Sequence, residues 1–219
     1  MRTVIFDLDG TLADTSADLI AAANACFRGR GLGDLLDPVA DALIAFHGGR
    51  AMLAAGYTRA GRGIDEVEAD YPRLLTHYAD NIDTHTMLYP GARRALGTLA
   101  EAGCALGICT NKPEGLAREL IARLGLADHF AALIGADTLP VRKPDPAPYR
   151  AAVAGVGGEI ARSMLVGDTA TDRETARAAG VPVALVTFGP EGHAIARLAP
   201  EALLDHFDAL PELVAGMLP

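Results

Sequence analysis

What most restricts the fold of this chain is a series of short, β-branched apolar runs that end in polar residues or glycine. They are Thr3–Phe6, Cys104–Cys109, Ala131–Ile134, Met164–Val166 and Val181–Thr187. Each is apolar on both faces, as strands buried in a parallel sheet are and half-exposed antiparallel strands are not. Helical patterns separate most of them. Pro90-Gly91 opens one that reaches Ala102, with Gly103 behind it as a C-cap. Pro113 begins another that closes near Gly125, and Thr171–Ala179 forms a third, stopped by Gly180. Alternation of this kind predicts an α/β fold, a Rossmann-like doubly wound parallel sheet.

One interval breaks the alternation. From Ser16 to His85 there are helical patterns and no strand pattern. Leu19, Ala22, Ala23, Cys26 and Phe27 make one apolar face; Val67, Tyr71, Leu74, Leu75 and Tyr78 make another. A crossover between parallel strands needs one helix, so the excess is read as an inserted all-helical cap. The expected division is an α/β core of residues 1–15 and 86–219 and a cap of residues 16–85, with hinges near Thr15-Ser16 and Thr84–Leu88. Such a cap would exclude water and choose the substrate. Thr15 and Asp18 read as a capping box at its first helix.

Ligands of open α/β sheets bind beyond the carboxyl ends of the strands. After the first strand come Asp7, Asp9, Gly10 and Thr11, and after the second Thr110 and Asn111. The loop behind the third supplies Lys143 and Pro144; the fourth runs into Gly167, Asp168, Thr169 and Asp172. Carboxylates gathered at one mouth repel by about 4 kcal/mol per pair at 4 Å and an effective dielectric of 20. A hard divalent cation relieves this, and Mg²⁺ suits oxygen ligands that must also bridge to phosphate. With Lys143 it would let an anionic phosphate approach an anionic nucleophile.

Asp7-Leu8-Asp9-Gly10-Thr11-Leu12 resembles the first motif, DxDGT, of the haloacid dehalogenase superfamily. Thr110 matches the second motif, Lys143 the third, and Gly167-Asp168 with Asp172 the fourth, in the same order and over essentially the whole chain. The resemblance implies a phosphatase that works through an aspartyl-phosphate, with Asp7 as nucleophile and Asp9 as general acid and then base. It implies Mg²⁺ held by the Asp7 side chain, the Asp9 carbonyl and Asp168, with Asp172 acting through water or Lys143. Thr110, Lys143 and the backbone around Asn111 and Asp9 would hold the phosphoryl oxygens. Within the cap, His47-Gly48-Gly49-Arg50 resembles the glycine-rich cap loop of phosphoglycolate phosphatases, and Arg50 could offer its fork to a substrate carboxylate. Sugar phosphates, nucleotides and pyrophosphate are alternative substrates, and a phosphomutase of the β-phosphoglucomutase type is an alternative activity.

Net charge and composition bound the partners. A formal charge of −9 argues against nucleic acid, which selects a basic face. No run approaches the roughly 20 apolar residues that span a bilayer, and the first apolar run is too short for a signal peptide. An odd count of three cysteines, Cys26, Cys104 and Cys109, suits buried thiols in a reducing compartment. The expectation is a cytoplasmic enzyme acting on a small phosphorylated substrate, a monomer or small homo-oligomer, with no membrane partner.

Overall fold

β1 (Thr3–Phe6) is buried along its whole length and lies inside a six-stranded sheet. The computed structural model describes residues 1–218. The other strands of the sheet are β4 (Ala105–Cys109), β5 (Ala132–Ile134), β6 (Ser163–Gly167), β7 (Val183–Val186) and β8 (Ala202–Leu204). Their order is β5-β4-β1-β6-β7-β8 and every pair is parallel. Two further strands of two residues each, β2 (Ala13–Asp14) and β3 (Met87–Leu88), form a separate two-stranded sheet.

Helices follow the strands as a doubly wound layer requires: α5 (Ala92–Glu101), α6 (Glu114–Arg123), α7 (Pro146–Gly155), α8 (Ala170–Ala179) and α9 (Leu210–Met217). Ile5, Leu165, Val183 and Leu185 pack with Tyr149, Ala152, Val153 and Ala176 in one buried cluster. Contact between apolar faces of sheet and helix supplies most of the driving force, about 25 cal/mol per Å² removed from water. Cys26 and Cys109 are buried, Cys104 is half-buried, and all three are free thiols. Burial pushes the Cys109 thiol up to about 12, so it is inert.

The chain divides into two compact units, one of Met1–Ala13 with the residues from Leu88 onward, the other Asp14–Met87. Both changeovers fall inside β2 and β3, whose two-residue length carries no periodicity to read in the sequence. Within the α/β unit, Tyr89 N–H donates to Leu12 O at 3.1 Å, so the chain leaves and returns at neighbouring points.

The second unit is all helical: α1 (Ser16–Gly29), α2 (Ala42–Ala45), α3 (Gly49–Arg59) and α4 (Asp65–Asp80). Its inward faces are rotated slightly from those expected. Ile20 is buried where Leu19 is half-buried, and Tyr71 and Leu75 are half-buried while the polar Asp70 is buried. Asp70 is admitted because Arg30 grips it with two bonds, at 2.6 and 3.0 Å, and the Tyr57 hydroxyl donates to it as well. Asp18 does not act as a capping-box partner. It accepts from the backbone N–H groups of His85 and Thr86 at 2.9–3.0 Å and from the Thr86 hydroxyl at 2.8 Å, fixing the end of the unit to its beginning. Among the described residues no helix is long and apolar enough to cross a membrane.

Candidate active site

Strand order explains why distant residues meet. β1 lies between β4 and β6, with Phe6 opposite Ile108 on one side and Val166 on the other. The residues just past these strands therefore emerge side by side: Asp7, Thr110 and Asp168. Asp7 N–H still bonds Val166 O at 2.9 Å, after which the chain turns tightly, with Gly10 at φ 79° and its N–H on Ala13 O. A left-handed residue is needed there, which glycine adopts without a Cβ clash. The turn aims the Thr11 hydroxyl at Asp168 Oδ1, 2.7 Å away.

The buried charges form one connected set. Lys143 Nζ lies 2.9 Å from Asp7 Oδ2 and 2.6 Å from Asp172 Oδ1, with its side chain 1% exposed. Asp172 is saturated, because its other oxygen accepts from the N–H groups of Asp168 and Thr169 and from the Thr169 hydroxyl. The bond from Thr169 N–H is half of a capping box at the start of α8, and Asp172 N–H donating to the Thr169 hydroxyl is the other half. Close approach of Asp172 depends on Gly167, where a Cβ would sit 2.4 Å from the Asp172 Cγ. Asp7 Oδ1 accepts from Leu8 N–H at 2.7 Å. Asp168 Oδ2 is buried and has no hydrogen-bond partner among the described residues.

These contacts leave a deficit of positive charge. Burial pushes Asp7 up to about 6; Lys143 opposes this and Asp172 adds to it. Asp168 is raised well above the usual carboxylate range by burial first, then by Asp172 and Asp7. Burial works against the Lys143 ammonium, but Asp172 and Asp7 outweigh it and the group is raised and firmly charged. Asp7, Asp168 and Asp172 each bring an oxygen within 4.8 Å of the others. A divalent cation fits this place: it would partner the bare Asp168 oxygen and return Asp7 and Asp168 to their ionised forms. Asp172, already filled by Lys143 and the α8 terminus, is the least available ligand of the three.

Thr110 is 3% exposed, and its hydroxyl accepts from Lys112 N–H at 3.3 Å. Asn111 donates its side-chain amide to the Lys143 carbonyl at 3.0 Å and so braces the lysine loop. Lys112 was not foreseen. Its ammonium binds both oxygens of Asp9, at 2.8 and 3.1 Å, and its side chain is only 4% exposed. The signal was its place two residues past Thr110, in the loop already known to end a central strand. Gly48, Gly49 and Arg50 lie in the helical unit at the start of α3. Gly48 caps that helix at φ 95°, and Arg50 is engaged by Glu68 at 2.8 and 3.1 Å and stacks over Tyr71.

A parallel sheet whose central strand ends in two aspartates, with lysine and further aspartates on the neighbouring loops, is the frame of the haloacid dehalogenase-like hydrolases. The chain belongs to that family, whose model matches residues 4–186. Among its relatives, the phosphoglycolate phosphatase of Mesorhizobium japonicum is 40% identical over 98% of this chain and 95% of that protein. The phosphoglycolate phosphatase of Rhodospirillum rubrum is 42% identical over 95% of this chain and 89% of its own. The crystal structure of a predicted phosphoglycolate phosphatase from Haemophilus somnus shares the fold, with a TM-score of 0.86 at 24% identity and 97% of each chain covered.

Proposed function

We propose that this hydrolase is a magnesium-dependent phosphatase acting through an aspartyl-phosphate, with phosphoglycolate as its substrate. The observation that carries the reading is the pair of aspartates two residues apart at the end of β1, each with its own buried ammonium. Asp7 is held by Lys143 and Asp9 by Lys112. An Asp7 oxygen attacks phosphorus as the ester bond breaks, and Asp9 gives its proton to the departing alkoxide. In the second step Asp9 takes a proton from water, the water oxygen bonds to phosphorus, and Asp7 is released as carboxylate. Lys143 and Thr110 stabilise the charge that develops on the phosphoryl oxygens.

Asp7, the Asp9 carbonyl and Asp168 would hold Mg²⁺, with Asp172 supporting Lys143. The bound ion would neutralise phosphate charge and keep Asp7 ionised. The full-length identity to phosphoglycolate phosphatases supports the choice of substrate.

Phosphate release is to be measured from phosphoglycolate, sugar phosphates, nucleotides and pyrophosphate, with Mg²⁺ and with a chelator. The expected result is release that needs Mg²⁺ and is fastest with phosphoglycolate. Release undiminished by the chelator would overturn the metal assignment, and a faster sugar phosphate or nucleotide would overturn the substrate.

A further inference from the structure

Lys112 enters the chemistry just described only as the ammonium beside Asp9, and its side chain is 4% exposed. Its backbone is anchored on both sides, the N–H on the Thr110 hydroxyl and the carbonyl on Ala136 N–H at 2.9 Å. The ammonium is therefore delivered to one place, beside both Asp9 oxygens. A buried ammonium is strongly unfavourable without an anionic partner. Asp9 is an anionic partner here, and its two oxygens hold the ammonium in place. In the proposed reaction one of these oxygens meets the leaving oxygen, which brings the leaving group beside the same ammonium. A cation so placed favours an anion on the leaving-group side of the phosphorus.

We propose that Lys112 binds the carboxylate of the leaving group and so selects a phosphorylated 2-hydroxy acid over a neutral phosphate ester. The inference rests on the phosphoglycolate reading and adds the residue that recognises the acid. Lys112 and the leaving oxygen both hydrogen-bond the same Asp9 carboxylate, which places them within roughly 3–5 Å of each other. In phosphoglycolate the carboxylate is bonded to the carbon that carries the ester oxygen, so its oxygens lie within about 3 Å of that atom. A carboxylate there lies within reach of the ammonium that stands beside Asp9. A neutral ester offers no such partner. Arg50, the residue the sequence nominated for this task, is already engaged with Glu68.

The test compares kcat/KM for phosphoglycolate and for 2-hydroxyethyl phosphate, which replaces the carboxylate by a neutral group of similar size. Wild type, Lys112→Met and Lys112→Arg are measured. The expected result is a wild-type preference for phosphoglycolate that falls by about 10–100-fold in Lys112→Met, mainly through KM, and returns at least in part in Lys112→Arg. A residue that only positions Asp9 would slow both substrates equally, mainly in kcat, and that outcome overturns the inference. Should Lys112→Met not fold, Lys112→Gln reads the same ratio. A wild type that prefers phosphoglycolate, with variants that keep the preference, sinks the role of Lys112 and leaves the substrate standing. A wild type indifferent to the carboxylate sinks both.

Discussion

In the helical unit Asp70 is 1% exposed, and both its oxygens are engaged, by Arg30, Arg73 and Tyr57. In the α/β unit Asp168 is equally buried, yet one of its oxygens has no hydrogen-bond partner among the described residues. The two aspartates respond in opposite ways. Burial alone would raise Asp70, but Arg30 and Tyr57 hold its carboxyl below the usual range, whereas burial and the neighbouring acids raise Asp168. A buried charge with every lone pair satisfied belongs to the architecture. A carboxyl left short of partners is pushed towards its neutral form until a cation joins it, and that marks a candidate site.

Removing Asp7 should separate the two cases most sharply. Asp7→Asn keeps the shape but cannot form the acyl-phosphate, and the expected loss in kcat is about 10⁴-fold or more. Its melting temperature without metal should not fall, because the buried carboxylate it removes is raised by its surroundings. Turnover at the wild-type rate would end the proposed mechanism. A large loss of stability would mean that Asp7 belongs with Asp70.

Asp70→Ala should do the reverse. It strands the Tyr57 hydroxyl and the Arg30 guanidinium, and breaking a buried pair from one side costs about 3 kcal/mol. Urea unfolding should show that loss while kcat per folded molecule stays near wild type. A variant as stable as wild type, with kcat reduced, would give Asp70 a place in the chemistry.

Magnesium should distinguish the regions by pH. Asp7 is raised to about 6, so the metal-free protein holds it protonated without penalty well below that value and loses stability as pH rises through it; raised Asp168 acts in the same direction. A cation that needs both carboxylates ionised competes with protons at low pH. At about 100-fold excess over its dissociation constant, Mg²⁺ should add roughly 2–3 kcal/mol near neutrality, and clearly less at about pH 5. An equal rise in melting temperature at both pH values would place the ion away from Asp7 and Asp168.

The α/β unit was legible because parallel strands must be apolar on both faces and their ends must carry the chemistry. Asp7, Lys143 and Asp168 follow from that rule. β8 escaped notice: it has three residues, lies at the sheet edge and leaves Leu203 39% exposed, so no continuous apolar run announces it. Lys112 escaped for a different reason. A lysine after a strand reads as solvated until a carboxylate 103 positions away is seen to hold it. Asp70 is illegible in the same way, since its partners Arg30 and Tyr57 come from other segments of the helical unit. Local pattern reveals faces; long-range charge pairing appears only once the chain is folded.

Arg50 gives the smallest expected effect and the finest test of the comparison. Its guanidinium is half exposed, bound to an equally exposed Glu68 and stacked 3.7 Å from the centre of the Tyr71 ring. Exposed pairs of this kind contribute little, because solvent screens them and two long side chains must be ordered to form them. Arg50→Ala should therefore leave the urea midpoint nearly unchanged and keep KM for phosphoglycolate within about twofold. A tenfold rise in KM would show that Arg50 leaves Glu68 for the substrate carboxylate. The helical unit would then hold a charge in reserve as the α/β unit does, and a partnered charge would mark architecture only where, as at Asp70, the pair is also buried.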